Sequence, residues 1–290
     1  MRVWICGARG STPAVGAEFN HVGGHTSCVA IGDDDGPPRL VLDAGTGLRN
    51  LTSVLDGAPF RGTILLSHLH WDHTHGLPFF AAGDRPDACT HLLLPAQGVE
   101  PIELLARTMS PPHFPIGPHQ LRGDWSFGVI DRGNYRFEGF DVLVREIPHK
   151  GGKTLGFRVS DGTRSLAYLS DHAPQDRGSG PHGLGALHED ALDLARDVDV
   201  LVHDAQYTAA ELPQRGSFGH AAYEYSLELA AAAGARRVLL FHHDPSRTDP
   251  EVTSILEAAR ALAAGSGVAV DLGRDRSTFV IGDEQAFTIH

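Results

Sequence analysis

A single α/β domain with two strand-rich halves and peripheral helices is the fold class this sequence predicts. Three observations carry that expectation. Short apolar, β-rich runs come in two sets of similar length, helical patterns are fewer, and no Gly/Ser- or Pro-rich linker divides the chain. The 290 residues are 41% hydrophobic and 21% charged, ordinary for a globular chain. One large α/β domain reaches this length, so residues 1–290 are read as one unit.

The first set of strand candidates covers 3–7 (VWICG), 28–32 (CVAIG), 39–45 (RLVLDAG), 62–68 (GTILLSH) and 91–95 (HLLLP), separated by Gly/Pro/Asp turns. The second set covers 141–148, 155–162, 165–171, 199–204, 236–242 and 277–283. Helical patterns begin at Pro101, His188, Ala221 and Asp249. For the last, Asp249 reads as the N-cap, Pro250 as the first helical residue and Gly265 as the stop. The stretches 108–125 and 172–185 read as long loops, a length that often serves function.

Acidic side chains number 36 against 24 basic, a net charge of −12, and there is no Lys/Arg run. That balance argues against a dedicated binder of long nucleic acid, which draws affinity from cationic contacts to phosphates. No apolar run approaches a membrane span, and the start MRVWICGARGSTP lacks the apolar core of a secretory leader. Cys6, Cys28 and Cys89 lie in separate segments without a CxxC pair and read as buried thiols of a reducing cytoplasm. The unusual count is histidine, at 18.

The strongest local signal is His68-Leu-His70-Trp-Asp72-His73, directly after the strand run TILLS. Three imidazoles and a carboxylate within six residues give two donor sets pointing in different directions, enough to start two adjacent metal sites.

HLHWDH resembles the HxHxDH motif of the metallo-β-lactamase superfamily. The other signatures follow in order: Asp43 in LVLDAGTG, His149 in EIPHKG, Asp171 in LAYLSD and His242 in VLLFHHDP. The resemblance implies a four-layer αββα sandwich with its motifs on strand ends. It also implies two Zn2+ per chain, one held by His68, His70 and His149, the other by Asp72, His73 and His242, with Asp171 bridging. Mn2+ or Fe2+ fit the same mixed N/O donors. Asp43 reads as an orienter that accepts a ligand histidine's N–H.

The run from Val202 to Pro245 resembles ribonuclease Z and phosphodiesterase members, which carries Asp204 and His220 over as a relay to the leaving group. Asp stands here where ribonuclease Z has Glu. The implied reaction is attack by metal-bound hydroxide on phosphorus, with Asp72, His220 and Asp204 as catalytic residues. CGARGSTP and GGHTSC resemble phosphoribosyl cyclic phosphate diesterases and related hydrolases. His25 replaces their Asn and reads as a loop histidine, while Arg9 and Ser11 are candidates to meet a phosphate.

Two departures narrow the substrate. Ribonuclease Z grips tRNA with an arm between the third and fourth motifs, and here His149 and Asp171 are only 22 residues apart, too few for it. The single cysteine of 74–135, Cys89, does not supply the extra cysteine-ligated metal site of the diesterase relatives. Met109, His113, Phe114 and Trp125 of the 108–125 loop could wall the pocket and stack a ring, or simply pack. The expectation is a cytoplasmic dinuclear zinc phosphodiesterase for a small or cyclic phosphodiester, with a homodimer in keeping with its relatives. The alternatives are a ribonuclease Z-like RNA endonuclease, or a lactone or thioester hydrolase on the same scaffold, whose activity would be indifferent to His220.

Overall fold

A computed structural model describes residues 1–282. In chain order the strands are β1 (Arg2–Gly7), β2 (Cys28–Gly32), β3 (Leu40–Leu42), β4 (Arg61–Leu65), β5 (Cys89–Pro95), β6 (Asp124–Ile130), β7 (Gly133–Phe137), β8 (Phe140–Ile147), β9 (Thr154–Ser160), β10 (Ser165–Leu169), β11 (Val200–Asp204), β12 (Arg237–Phe241), β13 (Ala269–Leu272) and β14 (Ser277–Val280). They form two seven-stranded sheets, ordered β14-β1-β2-β3-β4-β5-β6 and β13-β12-β11-β10-β9-β8-β7. Each sheet is built alike, with antiparallel pairing over its first four strands, counted from β14 and from β7, and parallel pairing over the rest.

The period-two alternation of the strands sorts side chains into layers. In β4, Leu65 enters the core between the sheets while Ile64 joins the outer cluster with Leu48 and Leu51 of the helix Leu48–Val54. In β11, Val200 and Val202 face inward, and Leu201 packs outward with residues of the helices Glu189–Ala195, Tyr223–Ala233 and Asp249–Ala263. Three apolar layers therefore separate helix, sheet, sheet and helix, which is the expected αββα sandwich.

Some details differ from the sequence reading. The run at 277–283, grouped with the second half, contributes β14 to the first sheet, where Phe279 pairs with Val3; residue 283 lies outside the described residues. Strands β6, β7 and β13 went unread, because β6 and β7 are half-exposed edge strands without a continuous apolar run and β13 is only four residues. Thr248, not Asp249, caps the last helix, in a capping box with Glu251. Asp249 instead accepts the N–H groups of His21 and Val22. Cys6 and Cys28 are buried, but Cys89, at the open end of β5, is exposed. No helix among the described residues is long and apolar enough to cross a membrane.

The topology sets where chemistry can occur. Strands β3 to β6 run parallel in one sheet and β10 to β13 in the other, and the loops at strand carboxyl ends carry the polar motifs, the usual crevice for ligands in such sheets. Because Phe157 is fully buried between the sheets, Phe157→Ala is expected to cost about 3–5 kcal/mol, read from the denaturant midpoint.

Candidate metal centre

Asp43 follows β3, the segment His68–His73 follows β4, His149 follows β8, Asp171 follows β10, Asp204 ends β11 and His242 follows β12. The turn after β4 is tight enough to present both donor sets, because Trp71–Thr74 forms one helical turn directly behind His70. Asp43 and His242 adopt left-handed backbone, φ 62° and 57°, a conformation uncommon for non-glycine residues in which Asp and His are enriched.

Two four-residue groups of donor atoms result, beside a third of Asp204, His220 and His242. His68, His70, His149 and Asp171 form one, and Asp72, His73, His242 and Asp171 the other, each with its ligand atoms within 4.8 Å of one another. Asp171 faces both. Its Oδ2 lies 3.7 Å from His68 Nε2 and 3.5 Å from His149 Nε2, while its Oδ1 lies 3.0 Å from His73 Nε2 and 3.3 Å from His242 Nε2. Asp72 Oδ2 completes the second group, 3.2 Å from His73 Nε2 and 3.1 Å from His242 Nε2.

The donor atoms fit divalent cations. His68 Nε2, His73 Nε2 and Asp171 Oδ1 are buried without a hydrogen-bond partner, a costly state for polar atoms unless a further group completes them. Asp43, Asp72, Asp171 and Asp204 are all buried, yet their partners include no Lys or Arg. Four buried carboxylates without a Lys or Arg partner leave the surrounding histidines, and any cation the cluster binds, to balance their charge.

The electrostatics differ between the two groups. Burial, aided for His68 by the neighbouring His73, lowers the pKa values of His68, His70 and His149 and keeps these imidazoles neutral, the form that binds metal. Burial also opposes the ionised forms of Asp72 and Asp171, but the surrounding histidines outweigh it and hold both carboxyls well below their usual range. At His73 burial is outweighed by Asp171, Asp72 and Asp43, which raise its pKa.

The remaining ring nitrogens are fixed by partners that sequence reading found only in part. His73 Nδ1–H donates to Asp43 Oδ2 at 2.7 Å, as expected for an orienting carboxylate. Asp43 also accepts from the Ser67 N–H and hydroxyl at 2.6 and 2.8 Å and from the Tyr168 hydroxyl at 2.8 Å. Since the Ser67 hydroxyl donates to Asp43, its oxygen accepts from His68 Nδ1 at 3.0 Å. His149 Nδ1–H donates to the Gly219 carbonyl at 2.7 Å, and His242 Nδ1–H to Gln206 Oε1 at 2.8 Å. Ser67, Tyr168 and Gln206 were missed; Ser67 and Gln206 each lie two residues beyond a buried strand.

Asp204 and His220 are brought together despite the shorter acid: His220 Nδ1–H donates to Asp204 Oδ2 at 3.0 Å. The same carboxylate accepts the backbone N–H of His172 at 3.0 Å and that of Gln206, on Oδ1, at 3.0 Å. Behind it, His188 accepts the Ala191 N–H at Nδ1, so it donates from Nε2 to His172, and His172 donates to His203. His220 is buried in its own loop ahead of the helix Tyr223–Ala233, rather than at the helix N-terminus.

A cleft of about 530 Å³ opens over these groups, lined by His70, Asp72, His149, Asp171 and His220, with Ser11, Trp71, Tyr207 and Phe218 around them. The 108–125 loop does not line it. Its Met109, His113 and Phe114 border a separate apolar cavity with Phe79, and Trp125 donates its indole N–H to the Gly83 and Arg122 carbonyls. Arg9 cannot meet a phosphate either: it is 0% exposed, and its guanidinium donates to the carbonyls of Gly23, Asp244 and Arg247. Ser11 does line the cleft and donates its backbone N–H to Asp72 Oδ2 at 2.7 Å. His25 sits in another cavity against Thr46, apart from both donor groups.

Comparison with known proteins fits this geometry. The family model described as "Beta-lactamase superfamily domain" matches residues 38–243. Ribonuclease Z of Geobacillus kaustophilus is 26% identical over 252 residues, covering 72% of this chain and 78% of that protein. Ribonuclease BN of Cronobacter sakazakii is 35% identical over 267 residues, covering 80% and 87%. Among solved structures, a diphosphatase of the PhnP family superposes with a TM-score of 0.68 at 16% identity, covering 97% of this chain and 98% of that one. Fold and donor groups thus define a metal-dependent hydrolase, and the chain belongs to the metallo-β-lactamase superfamily, in the branch that holds ribonuclease Z.

Gln206→Ala removes the acceptor that fixes His242. The expected result is a metal affinity about 10–100-fold lower in chelator competition, with the fold intact by circular dichroism. Parent-like affinity would show that Gln206 has no part in holding a metal.

Proposed function

We propose that the protein hydrolyses a small or cyclic phosphodiester using two divalent cations, zinc in the first instance. One would be held by His68, His70 and His149 and the other by Asp72, His73 and His242, with Asp171 shared. The observation that carries this reading is the placement of the two Asp171 oxygens, one toward each donor group, under a cleft that His220 also lines. Cations in such sites polarise a phosphoryl oxygen and lower the pKa of water towards neutrality.

The chain's own residues supply the rest. Asp204 holds the His220 Nδ1–H, which leaves Nε2 to carry a proton to the departing alkoxide. Burial alone would lower the His220 pKa, but Asp204, with Asp171 and Asp72, raises it to about 9. Asp72 lines the cleft, and its Oδ2 is fixed by the Ser11 N–H. Trp71 and Phe218, each 64% exposed at the cleft rim, offer faces for a ring-bearing group, the role first assigned to the 108–125 loop.

A small substrate is favoured because the 22-residue interval from His149 to Asp171 is taken up by the β9–β10 hairpin and leaves no length for an RNA-gripping arm. The relatives named ribonuclease and the neighbour named diphosphatase support phosphate-ester chemistry in general.

Elemental analysis paired with hydrolysis of bis(p-nitrophenyl) phosphate tests the proposal. Nearly two metals per chain and chelator-sensitive turnover are expected, and two metals without diester cleavage would move the reading to lactone or thioester hydrolysis. His68→Ala and Asp171→Ala should lose metal and activity together. His220→Ala should keep its metal while kcat falls by about 10²–10⁴-fold. Full activity in Asp171→Ala would overturn the dinuclear mechanism.

A further inference from the structure

One side-chain amide ties the second donor group to two hydroxyls of the cleft. Gln206 takes the His242 Nδ1–H on Oε1, so its Nε2 is the donor, and that nitrogen lies 3.3 Å from Ser11 Oγ and 3.4 Å from Tyr207 Oη. Ser11, Gln206 and Tyr207 all line the cleft together with Asp72 and Asp171. An amide nitrogen carries two protons, one for each hydroxyl. Both hydroxyls therefore accept from Gln206 and keep their own O–H to give. Neither has another hydrogen-bond partner among the described residues.

Segments far apart in the chain hold these groups in place. Ser11 stands in left-handed backbone, φ 62°, with its N–H on Asp72 Oδ2 at 2.7 Å, and the Gly10 N–H before it is held by the His243 carbonyl at 2.9 Å. A Cβ on Gly10 would stand 2.4 Å from His242 Nδ1 and 2.8 Å from Gln206 Oε1, so only glycine lets this segment cross the hydrogen bond between them. Tyr207 donates its backbone N–H to the Ala221 carbonyl at 3.1 Å, and its ring lies edge-on to His220 at 5.9 Å, with the Arg215 guanidinium 5.7 Å from its centre. Donors fixed in advance, with no rearrangement left to make, are the kind that stabilise charge developing on an oxygen.

We propose that Ser11 and Tyr207 are catalytic residues whose hydroxyls donate hydrogen bonds to the non-bridging oxygens of the phosphoryl group while it is attacked, on the side of the cleft that holds Asp72 and His242. The inference rests on the phosphodiesterase reading and deepens it, adding a pair of neutral donors to the machinery of that site. Each proton stays on its own oxygen, and no bond to either hydroxyl forms or breaks.

Tyr207→Phe and Ser11→Gly test the proposal in the metal-loaded enzyme. The first keeps the ring, and the second keeps the N–H to Asp72 and suits the left-handed backbone. Each should lower kcat/KM for bis(p-nitrophenyl) phosphate about 10-fold and weaken the binding of inorganic phosphate, read by calorimetry, by a smaller factor. Metal affinity in chelator competition should match the parent. Parent-like kcat/KM in both variants overturns the hydroxyl pair alone. A loss that follows weakened metal binding overturns it as well, because the hydroxyls would then only steady Gln206 against His242. A parent that does not cleave bis(p-nitrophenyl) phosphate overturns the phosphodiesterase reading and the pair with it.

Discussion

Burying carboxylates where no Lys or Arg can neutralise them is the constraint on which this structure turns. Asp171 and Asp43 are almost wholly inaccessible, and each is surrounded by histidines and hydroxyls rather than fixed cations. Such an arrangement is expensive in isolation. A bound cation would offset that cost. The orientations of Ser67, Tyr168 and Gln206, and the left-handed backbone at Asp43 and His242, make sense as the holding frame of that charge.

The same frame explains how two similar sheets produce one site. Neither sheet owns a complete donor set: His68 and His70 come from the loop after β4 of one, and His149 and Asp171 follow β8 and β10 of the other. The proposed proton relay belongs wholly to the second sheet, since Asp204 ends β11 and His220 lies between β11 and β12. Electrophilic and proton-transferring functions thus reach the cleft from different directions. That leaves its mouth to Trp71 and Phe218.

Much of the fold and of the donor set was legible in the sequence because both are written in short local patterns. TILLS followed by HLHWDH announces a buried strand ending in donor side chains, and the runs before His149, Asp171 and His242 do the same. What could not be read depends on contacts between distant segments. Arg9 stands in a glycine-rich opening that suggests phosphate binding, yet it is consumed by three carbonyls, two of them more than 230 residues away. The 108–125 loop has the right aromatics but packs over a different cavity. The pairing of Ser11 with Tyr207 was invisible because the two meet through Gln206, 195 residues beyond Ser11.

The division of one donor set between two sheets has a thermodynamic side. An ion held as proposed by His68 and His70 on one side and by His149 and Asp171 on the other would clasp the sandwich, and its binding free energy would add to the cohesion of the two halves. Resistance to unfolding is then a function of how much free metal the surroundings supply. On the proposed function, a chain starved of metal would be both idle and more open to proteolysis, so scarcity would lower the amount of the protein as well as its turnover.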